Sequence, residues 1–232
     1  MVPRNRSTCF DPRTHPFRLF IRSLAFLGFI SFSLFIFSTS TEPGAMLEQK
    51  AQDAASYVYS VWGIPSEEVR PRLKKLMREL RTEFNGPEFE PHVTVVGAIA
   101  LREEDAVEKF RAACAGLKAY EASVVKVDRG TFFYQCVYLL LQPTAEVVET
   151  SAHCTGHFGY KSSTPYMPHL SLLYADISDE EKKKAQEKAK ALDPTIEELK
   201  FQITHLALYK TDTEDKSLKS WEKVTECSLT PP

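Results

Sequence analysis

The sequence predicts an α+β fold with two antiparallel sheets, one for each half of the chain, flanking helices and a cleft between the sheets. Strand-like and helix-like segments follow one another in the order β-α-β-α-β-β-α-β-α-β-β, with short connections. A six-residue pattern occurs twice, at residues 91–96 (Pro-His-Val-Thr-Val-Val) and 168–173 (Pro-His-Leu-Ser-Leu-Leu). There is no glycine-rich phosphate loop. This mixture is typical of α+β domains rather than of a doubly wound parallel sheet.

In the first half, Ser66 is a suitable N-cap for a helix, and apolar residues recur at helical spacing until Asn85-Gly86-Pro87 ends it. A β-rich run precedes this helix. Gly116 is the stop signal of the next helix. The predicted elements are a strand at 57–62, a helix at 66–84, the strand of the first Pro-His pattern and a helix at 103–115.

In the second half, Asp128-Arg129-Gly130 is a hairpin signal between two β-rich runs. Ser178 and Glu181 form a capping box that opens a helix rich in Lys and Ala. The predicted elements are strands at 120–127 and 132–141, a helix at 143–158, the strand that begins at His169, the capped helix, and strands at 201–209 and 221–229.

The repeated pattern predicts a paired functional site. Successive side chains of a strand point to opposite faces, so His92 shares a face with Thr94, and His169 with Ser171, at a spacing of about 6.6 Å. A single His-x-Thr in a strand is usually a half-buried histidine beside a β-forming threonine. Its duplication, with the same Pro and the same hydroxyl offset, favours a symmetric cleft with two imidazoles and two hydroxyls.

This set of side chains suits acid-base chemistry at a phosphoester. An imidazole titrates near neutral pH, so one histidine can deprotonate water while the other protonates a leaving oxygen. Hydroxyl groups can donate to the non-bridging oxygens of the phosphate. The set requires no metal or other cofactor, and the serine hydrolase class is excluded because Ser171 has no flanking glycines.

The remaining histidines and the cysteines do not indicate a metal site. His153 and His157 are spaced as i and i+4 but lack the Glu of an HExxH motif, and His205 matches neither copy of the pattern. The five cysteines have no CxxC spacing. We expect Cys114 and Cys136 to be buried thiols, although the spacing leaves any pairing open.

The first 55 residues are predicted to be a leader, and residues 56–232 the functional domain. The leader begins with a basic stretch followed by a hydrophobic run at 23–41, which suits a signal peptide or a marginal anchor. Met46 is an alternative start. We expect a cytoplasmic protein, with a secretory or membrane-anchored form as the alternative and membrane contact only through this run.

Charge limits the partners of the functional domain. The first 45 residues hold five arginines and two acidic residues, so 24 basic and 29 acidic residues remain, a net charge of −5. An acidic body with no Lys/Arg stripe argues against binding of long nucleic acids. It is compatible with one small nucleotide.

The chain resembles the two-histidine (2H) phosphoesterases, and most closely the plant cyclic phosphodiesterases. Besides the two Pro-His patterns, the resemblance rests on residues 59–62 (Tyr-Ser-Val-Trp), 130–136 (Gly-Thr-Phe-Phe-Tyr-Gln-Cys), 164–174 (Thr-Pro-Tyr-Met-Pro-His-Leu-Ser-Leu-Leu-Tyr) and 210–216 (Lys-Thr-Asp-Thr-Glu-Asp-Lys). It extends from about residue 56 to the C-terminus. It implies a bilobal fold with pseudo-twofold symmetry around a central cleft.

The resemblance also implies an activity. The expected reaction is metal-independent hydrolysis of ADP-ribose 1″,2″-cyclic phosphate to ADP-ribose 1″-phosphate, and of nucleoside 2′,3′-cyclic phosphates to 2′-phosphates. Such an enzyme would act on by-products of tRNA splicing, and we expect a monomer that binds a small cyclic phosphate nucleotide.

The same resemblance assigns roles to residues. His92 and His169 would be catalytic, and Thr94 and Ser171 would hold the phosphate. Trp62 and Tyr174 would contact the base, ribose or phosphate, although Tyr174 lies at an odd offset from Ser171 and faces the cleft only if the strand has ended or bulged. We favour His169 as the base and His92 as the acid, while the symmetry leaves the reverse open.

Two other functions fit the same residues. The cleft could bind cyclic phosphate ends without hydrolysing them, although two imidazoles favour catalysis because Lys or Arg would serve binding equally well. The chain could also be an RNA end-processing esterase that acts on longer substrates, which the acidic body disfavours.

Overall fold

The computed structural model describes residues 56–162 and 164–231. The leader at 1–55, with its hydrophobic run at 23–41 and the alternative start at Met46, lies outside the described residues. In the described part of the chain, no helix is both long and apolar enough to cross a membrane.

The predicted α+β fold is confirmed. The described residues form seven strands, β1 (Tyr57–Pro65), β2 (Val93–Leu101), β3 (Tyr120–Arg129), β4 (Val137–Leu141), β5 (His169–Leu173), β6 (Lys200–Lys210) and β7 (Glu222–Ser228). The helices are α1 (Arg70–Phe84), α2 (Glu103–Cys114), α3 (Ala145–Phe158) and α4 (Asp179–Leu192), with short 3₁₀ helices at Phe133–Gln135 and Ile196–Glu198.

All strand pairs are antiparallel, as predicted, but hydrogen bonds join the strands into one sheet. The order is β1-β2-β5-β4-β3-β6-β7, and β1 also pairs with β6. The two halves that we expected as separate sheets therefore meet at two seams. One seam is the single residue pair between β2 and β5, and the other is the seven-pair register of β1 against β6.

The helices pack as two pairs, α2 with α3 and α1 with α4. Helix α3 lies against β2 and β3, and α1 lies against β5. The apolar faces of all four helices and of the sheet join in one large core, which includes Leu73, Phe110, Leu139, Leu170 and Leu206. The strands that carry the two histidine patterns are thus held from behind by a packed interior.

Several predicted boundaries differ from the structure. Helix α1 begins four residues later than expected, because Ser66 accepts hydrogen bonds through its backbone carbonyl and Val69 is the N-cap. Residues 132–136 leave the predicted strand for a short 3₁₀ helix, so Cys136 immediately precedes β4. The capping box at Ser178 and Glu181 is confirmed.

The prediction that Cys114 is a buried thiol is wrong, because Cys114 and Cys227 form a disulfide. The end of α2 lies beside β7, and this brings the two Cα atoms within 6.6 Å, a distance that a disulfide spans. Cys136 is a buried free thiol as predicted, and Cys154 is another.

Candidate active site

The two histidine patterns lie side by side on neighbouring strands. Val93 of β2 pairs with Leu170 of β5 in an antiparallel register. One step further along this register, His92 lies opposite Ser171 and Thr94 lies opposite His169. Side chains at such positions share a face, with Cβ atoms about 5 Å apart. The tertiary structure therefore brings all four predicted residues to one surface.

His92 immediately precedes β2 and is almost fully buried, with 4% of its surface exposed. Its Nδ1 lies 2.7 Å from the carbonyl oxygen of Glu90. Because a carbonyl can only accept, Nδ1 carries the proton and donates it. In the neutral ring, Nε2 is then left with a free lone pair and lies on the side of the imidazole away from this bond.

His169 is held in the same way at the start of β5. Its Nδ1 donates to the carbonyl oxygen of Met167 at 3.0 Å, again two residues earlier. The ring also meets the edge of Tyr138, with centroids 5.2 Å apart. The duplication thus extends to the tautomer of each ring.

Burial shifts both imidazoles toward the neutral form. Desolvation lowers the pKa of His92 to about 4, and the neighbouring His169 adds to the decrease. Desolvation also lowers the pKa of His169. The hydrogen bonds from the Glu90 and Met167 carbonyls act in the opposite direction without reversing these shifts. Both rings are therefore poised as proton acceptors in the free protein at neutral pH.

The shifted pKa of His92 predicts a specific loss of stability in acid. The pKa is about 6.5 in the unfolded chain and about 4 in the folded protein, so the unfolded state binds more protons between these values and stability falls as the pH decreases through this window. At pH 5 this contribution is about 2 kcal/mol. We expect His92→Gln to lose correspondingly less free energy of unfolding than the wild type between pH 7 and pH 5, as measured by urea denaturation.

Carboxylates titrate in the wild type and in the variant alike. The difference between the two slopes of unfolding free energy against pH therefore reports on His92. Equal slopes in the wild type and the variant would contradict the burial of a neutral His92.

The two motif hydroxyls have different surroundings. Thr94 lines the cleft and is half-buried. Ser171 is 5% exposed, and its hydroxyl donates to the carbonyl oxygen of Tyr134 at 3.2 Å. Ser171 is not among the side chains that line the cleft. The two halves of the site are therefore symmetric in their imidazoles but not in their hydroxyls.

Trp62 supports the first histidine. Its ring stacks on His92 with centroids 3.6 Å apart, and its other face is covered by Tyr209 at 3.7 Å. Because both faces are occupied, a nucleobase cannot stack on Trp62. Only the edge of the ring borders the cleft. We infer that Trp62 holds the imidazole of His92 in place, while contact with substrate through the edge stays a prediction.

Tyr174 reaches the cleft because β5 has ended at Leu173. Tyr174 therefore faces the cleft despite its odd offset from Ser171. The sequence allowed this outcome if the strand had ended before Tyr174. The ring stacks on Phe89 with centroids 3.9 Å apart. Desolvation raises the pKa of Tyr174, so the hydroxyl stays protonated. It can donate a hydrogen bond to a ligand.

The cleft around these residues has a volume of about 890 Å³, toward the upper end of the range of about 300–1,000 Å³ that is usual for small-molecule sites. His92, Thr94, His169, Tyr174 and Trp62 all border it. The residues that line it include no Lys, Arg, Asp or Glu. Its side-chain polarity therefore comes from the imidazoles, from hydroxyl groups, from the indole N–H groups and from the amide of Gln135.

Sequence reasoning missed residues that shape this cleft. Tyr166 donates its hydroxyl proton to the carbonyl oxygen of Thr94 at 2.9 Å, and Ser151 donates to the carbonyl of Val95 at 2.8 Å. These bonds provide hydrogen-bond donors for backbone carbonyls of β2 where β5 no longer pairs with it. Tyr134 and Trp221 form an aromatic wall, stacked with centroids 5.6 Å apart. Tyr134 and Tyr166 lie in the passages that carry the family resemblance, which is the only signal that could have indicated them.

The other histidines among the described residues lie apart from this site. His153 and His157 contact each other on α3 with centroids 4.7 Å apart, and Nε2 of His153 is bonded to the carbonyl of Ala113. His205 lies on β6 beside Thr204. Within residues 56–162 and 164–231, no three His, Cys, Asp or Glu side chains are grouped as they would be to hold a metal ion.

Comparison with protein families supports the chemistry that this site suggests. The model of the family described as "Cyclic phosphodiesterase-like protein" matches residues 58–230. A cyclic phosphodiesterase of Arabidopsis thaliana is 58% identical over 174 residues, which is 75% of this chain and 96% of the relative. A cyclic phosphodiesterase of Triticum aestivum is 33% identical over 97 residues, or 42% of this chain and 92% of that relative.

Solved structures share the fold at low sequence identity. E. coli LigT, crystallised with 3′-AMP, has a TM-score of 0.53 and 12% identity, with 76% of this chain and 99% of that chain covered. A structure titled as a phosphoesterase has a TM-score of 0.50 and 13% identity, covering 75% of this chain and 98% of its own. At these identities the likeness concerns the fold alone.

Proposed function

The chain belongs to the cyclic phosphodiesterase-like family, and we propose that it opens ADP-ribose 1″,2″-cyclic phosphate to ADP-ribose 1″-phosphate and nucleoside 2′,3′-cyclic phosphates to 2′-phosphates. It is a cyclic phosphodiesterase with the fold of the 2H phosphoesterases. The substrates, the roles of the residues and the independence from metal are the proposed part. We further propose that the reaction consumes by-products of tRNA splicing.

One observation carries the proposal. Two imidazoles on adjacent strands border one cleft, and each donates its Nδ1 proton to a backbone carbonyl, so each has Nε2 free for proton transfer. Hydrolysis of a cyclic phosphodiester needs one group to accept a proton from water and one to supply a proton to the leaving oxygen. Thr94 and Tyr174 provide hydroxyl donors toward the phosphate oxygens.

We propose that His92 is the base and His169 the acid, the reverse of the order favoured from sequence. His92 is 4% exposed and stacked on Trp62, so protonating it at neutral pH is costly. His169 is less buried, and the negative charge of a bound cyclic phosphate favours its protonated form. Water would lose a proton to His92 as its oxygen attacks phosphorus, and the ring ester oxygen would leave with a proton from His169.

The proposed independence from metal has a direct test. Among the described side chains that line the cleft there is no carboxylate and no thiol, so the strong metal ligands in this set are the two imidazoles. We expect hydrolysis of adenosine 2′,3′-cyclic phosphate to continue at the same rate after dialysis against EDTA, with the 2′-phosphate as product identified by chromatography. A loss of activity that added metal restores would contradict the proposal.

The same experiment separates the enzyme from its rivals. A binding module would retain the cyclic phosphate without product, with or without EDTA. An RNA end-processing esterase would prefer an oligonucleotide that ends in a 2′,3′-cyclic phosphate over the mononucleotide. The absence of Lys and Arg among the lining residues disfavours the second rival, because a long phosphate backbone needs cationic contacts.

We also propose that residues 56–232 act as a monomeric catalytic domain in the cytoplasm. The family match at 58–230 supports this boundary. Secretion or anchoring through residues 23–41 is the alternative, and a fluorescent fusion of residues 1–45 would distinguish the two by its location in the cell.

A further inference from the structure

One side of helix α3 presents an uncharged stripe to the cleft. Val148, Ala152 and Thr155 are spaced as i, i+4 and i+7, and all three border the cleft. Other exposed positions of the same helix carry Glu146, Glu149, His153 and His157. A solvent-facing helix surface is normally polar, so an apolar stripe confined to the cleft side indicates contact with a ligand.

Met167 extends this stripe from the loop that leads to His169. Its side chain is 39% exposed and that of Val148 is 37% exposed, although both residues are large and apolar. Single exposed apolar residues are ordinary on protein surfaces. Here two of them border the same cleft as the catalytic imidazoles, which places an apolar surface beside the reaction centre.

Several polar groups in the rest of the cleft are hydrogen-bonded within the protein. The hydroxyl of Tyr134 donates to the carbonyl of Thr213, and the indole N–H of Trp221 donates to the carbonyl of Asp212. Ser60 and Thr211 are hydrogen-bonded to each other. These groups already have partners within the protein. Phe132, two residues before Tyr134, also borders the cleft and is 54% exposed, so the apolar surface open to a ligand consists of Val148, Met167 and Phe132.

The charge of the lining residues limits which ligand groups this surface can bind. With no Lys or Arg among the lining residues, the cleft offers no ion pair to a phosphate group beyond the reaction centre. Lys161 is exposed, follows the lining residue Tyr160 and is the first cationic residue in the sequence after α3. An uncharged, flat and largely apolar group fits the stripe itself, and among parts of nucleotides this describes a nucleobase.

We propose that Val148, Ala152 and Met167 form a second subsite that binds the nucleobase at the non-reacting end of a nucleoside diphosphate sugar, the adenine of ADP-ribose 1″,2″-cyclic phosphate. The subsite rests on the proposed function, since it requires that the cyclic phosphate is bound at His92 and His169. It explains a cleft much larger than the four-residue reaction centre needs. Binding energy from the remote adenine then favours the ADP-ribose substrate over smaller cyclic phosphates.

The test compares ADP-ribose 1″,2″-cyclic phosphate with 5-phosphoribose 1,2-cyclic phosphate, which has the same reacting ring but no adenosine. We expect Val148→Asp to raise KM for the ADP-ribose substrate about tenfold, because burying an adenine against a carboxylate loses apolar contact and costs desolvation. KM for the truncated substrate should change less than twofold. Val125→Asp, at an exposed valine of β3 that does not border the cleft, is the matched control.

The outcomes separate the subsite from the proposed function. If the wild type hydrolyses both substrates but Val148→Asp affects both equally or neither, the subsite is wrong and the proposed reaction stands. A wild type that hydrolyses neither cyclic phosphate would overturn the proposed reaction and the subsite with it. A wild type with equal KM for the two substrates would also overturn the subsite, because the adenine would then contribute no binding energy.

Discussion

Replacing either motif histidine is expected to lower kcat by about 10²–10⁴-fold, since each removes one proton transfer from the reaction. The variants are His92→Ala and His169→Ala, assayed with adenosine 2′,3′-cyclic phosphate. Because Trp62 stacks on His92, the first variant leaves a cavity, and His92→Gln serves as a second variant that fills it. The double variant should be little worse than the single ones, because the two groups act as a unit.

The same variants determine which histidine is the acid. A cyclic substrate with sulfur in place of the leaving ring oxygen releases a thiolate, which needs no protonation. We expect this substrate to restore most of the rate of His169→Ala and little of that of His92→Ala. Rescue of His92→Ala alone would reverse the assignment. His157→Ala, at an exposed histidine of α3 that does not border the cleft, should keep the wild-type rate. Full activity in a folded His92→Gln protein would contradict the mechanism.

Removal of the Thr94 hydroxyl is expected to have the second largest effect. Thr94→Val keeps the shape of the side chain but removes a donor to the charge that develops on the phosphate, and kcat/KM should fall about 10²–10³-fold. Ser171→Ala should cost only about tenfold. The hydroxyl of Ser171 is already bonded to the carbonyl of Tyr134 and does not border the cleft. It would have to break that bond before it could donate to a ligand.

Thr225→Val on β7 is the matched control for loss of a threonine hydroxyl away from the cleft and should leave kcat/KM unchanged. Thermal unfolding of each variant shows whether a change in rate reflects a change in folding. Equal losses in Thr94→Val and Ser171→Ala would mean that the two hydroxyls act alike, against the asymmetry of their surroundings.

Local patterns predicted the elements well where one residue type controls the outcome. The capping box at Ser178 formed as expected, because a side-chain oxygen and the backbone N–H groups of the same helix turn meet whatever surrounds them. Ser66 failed as an N-cap, because its backbone was drawn into a turn and its N–H donates to Gln202 of β6. The disulfide of Cys114 likewise depends on a neighbour 113 positions away.

The sequence by itself determined the chemistry of the centre. It placed an imidazole and a hydroxyl on one face of each motif strand, because side-chain alternation is a property of any strand. Neither the spacing nor the composition could bring the two strands together, show that Trp62 is covered on both faces, or distinguish Thr94 from Ser171.

Only the tertiary structure decided those points, because each depends on contacts between residues far apart in the chain. The pairing of Val93 with Leu170 brings the two motifs together at one site. The carbonyl of Tyr134 accepts a hydrogen bond from the hydroxyl of Ser171, whereas the hydroxyl of Thr94 has no such partner among the described residues. Burial of His92 against Trp62 separates two imidazoles that the sequence presents as equivalent. Desolvation, which acts on the folded protein alone, is the physical origin of that difference.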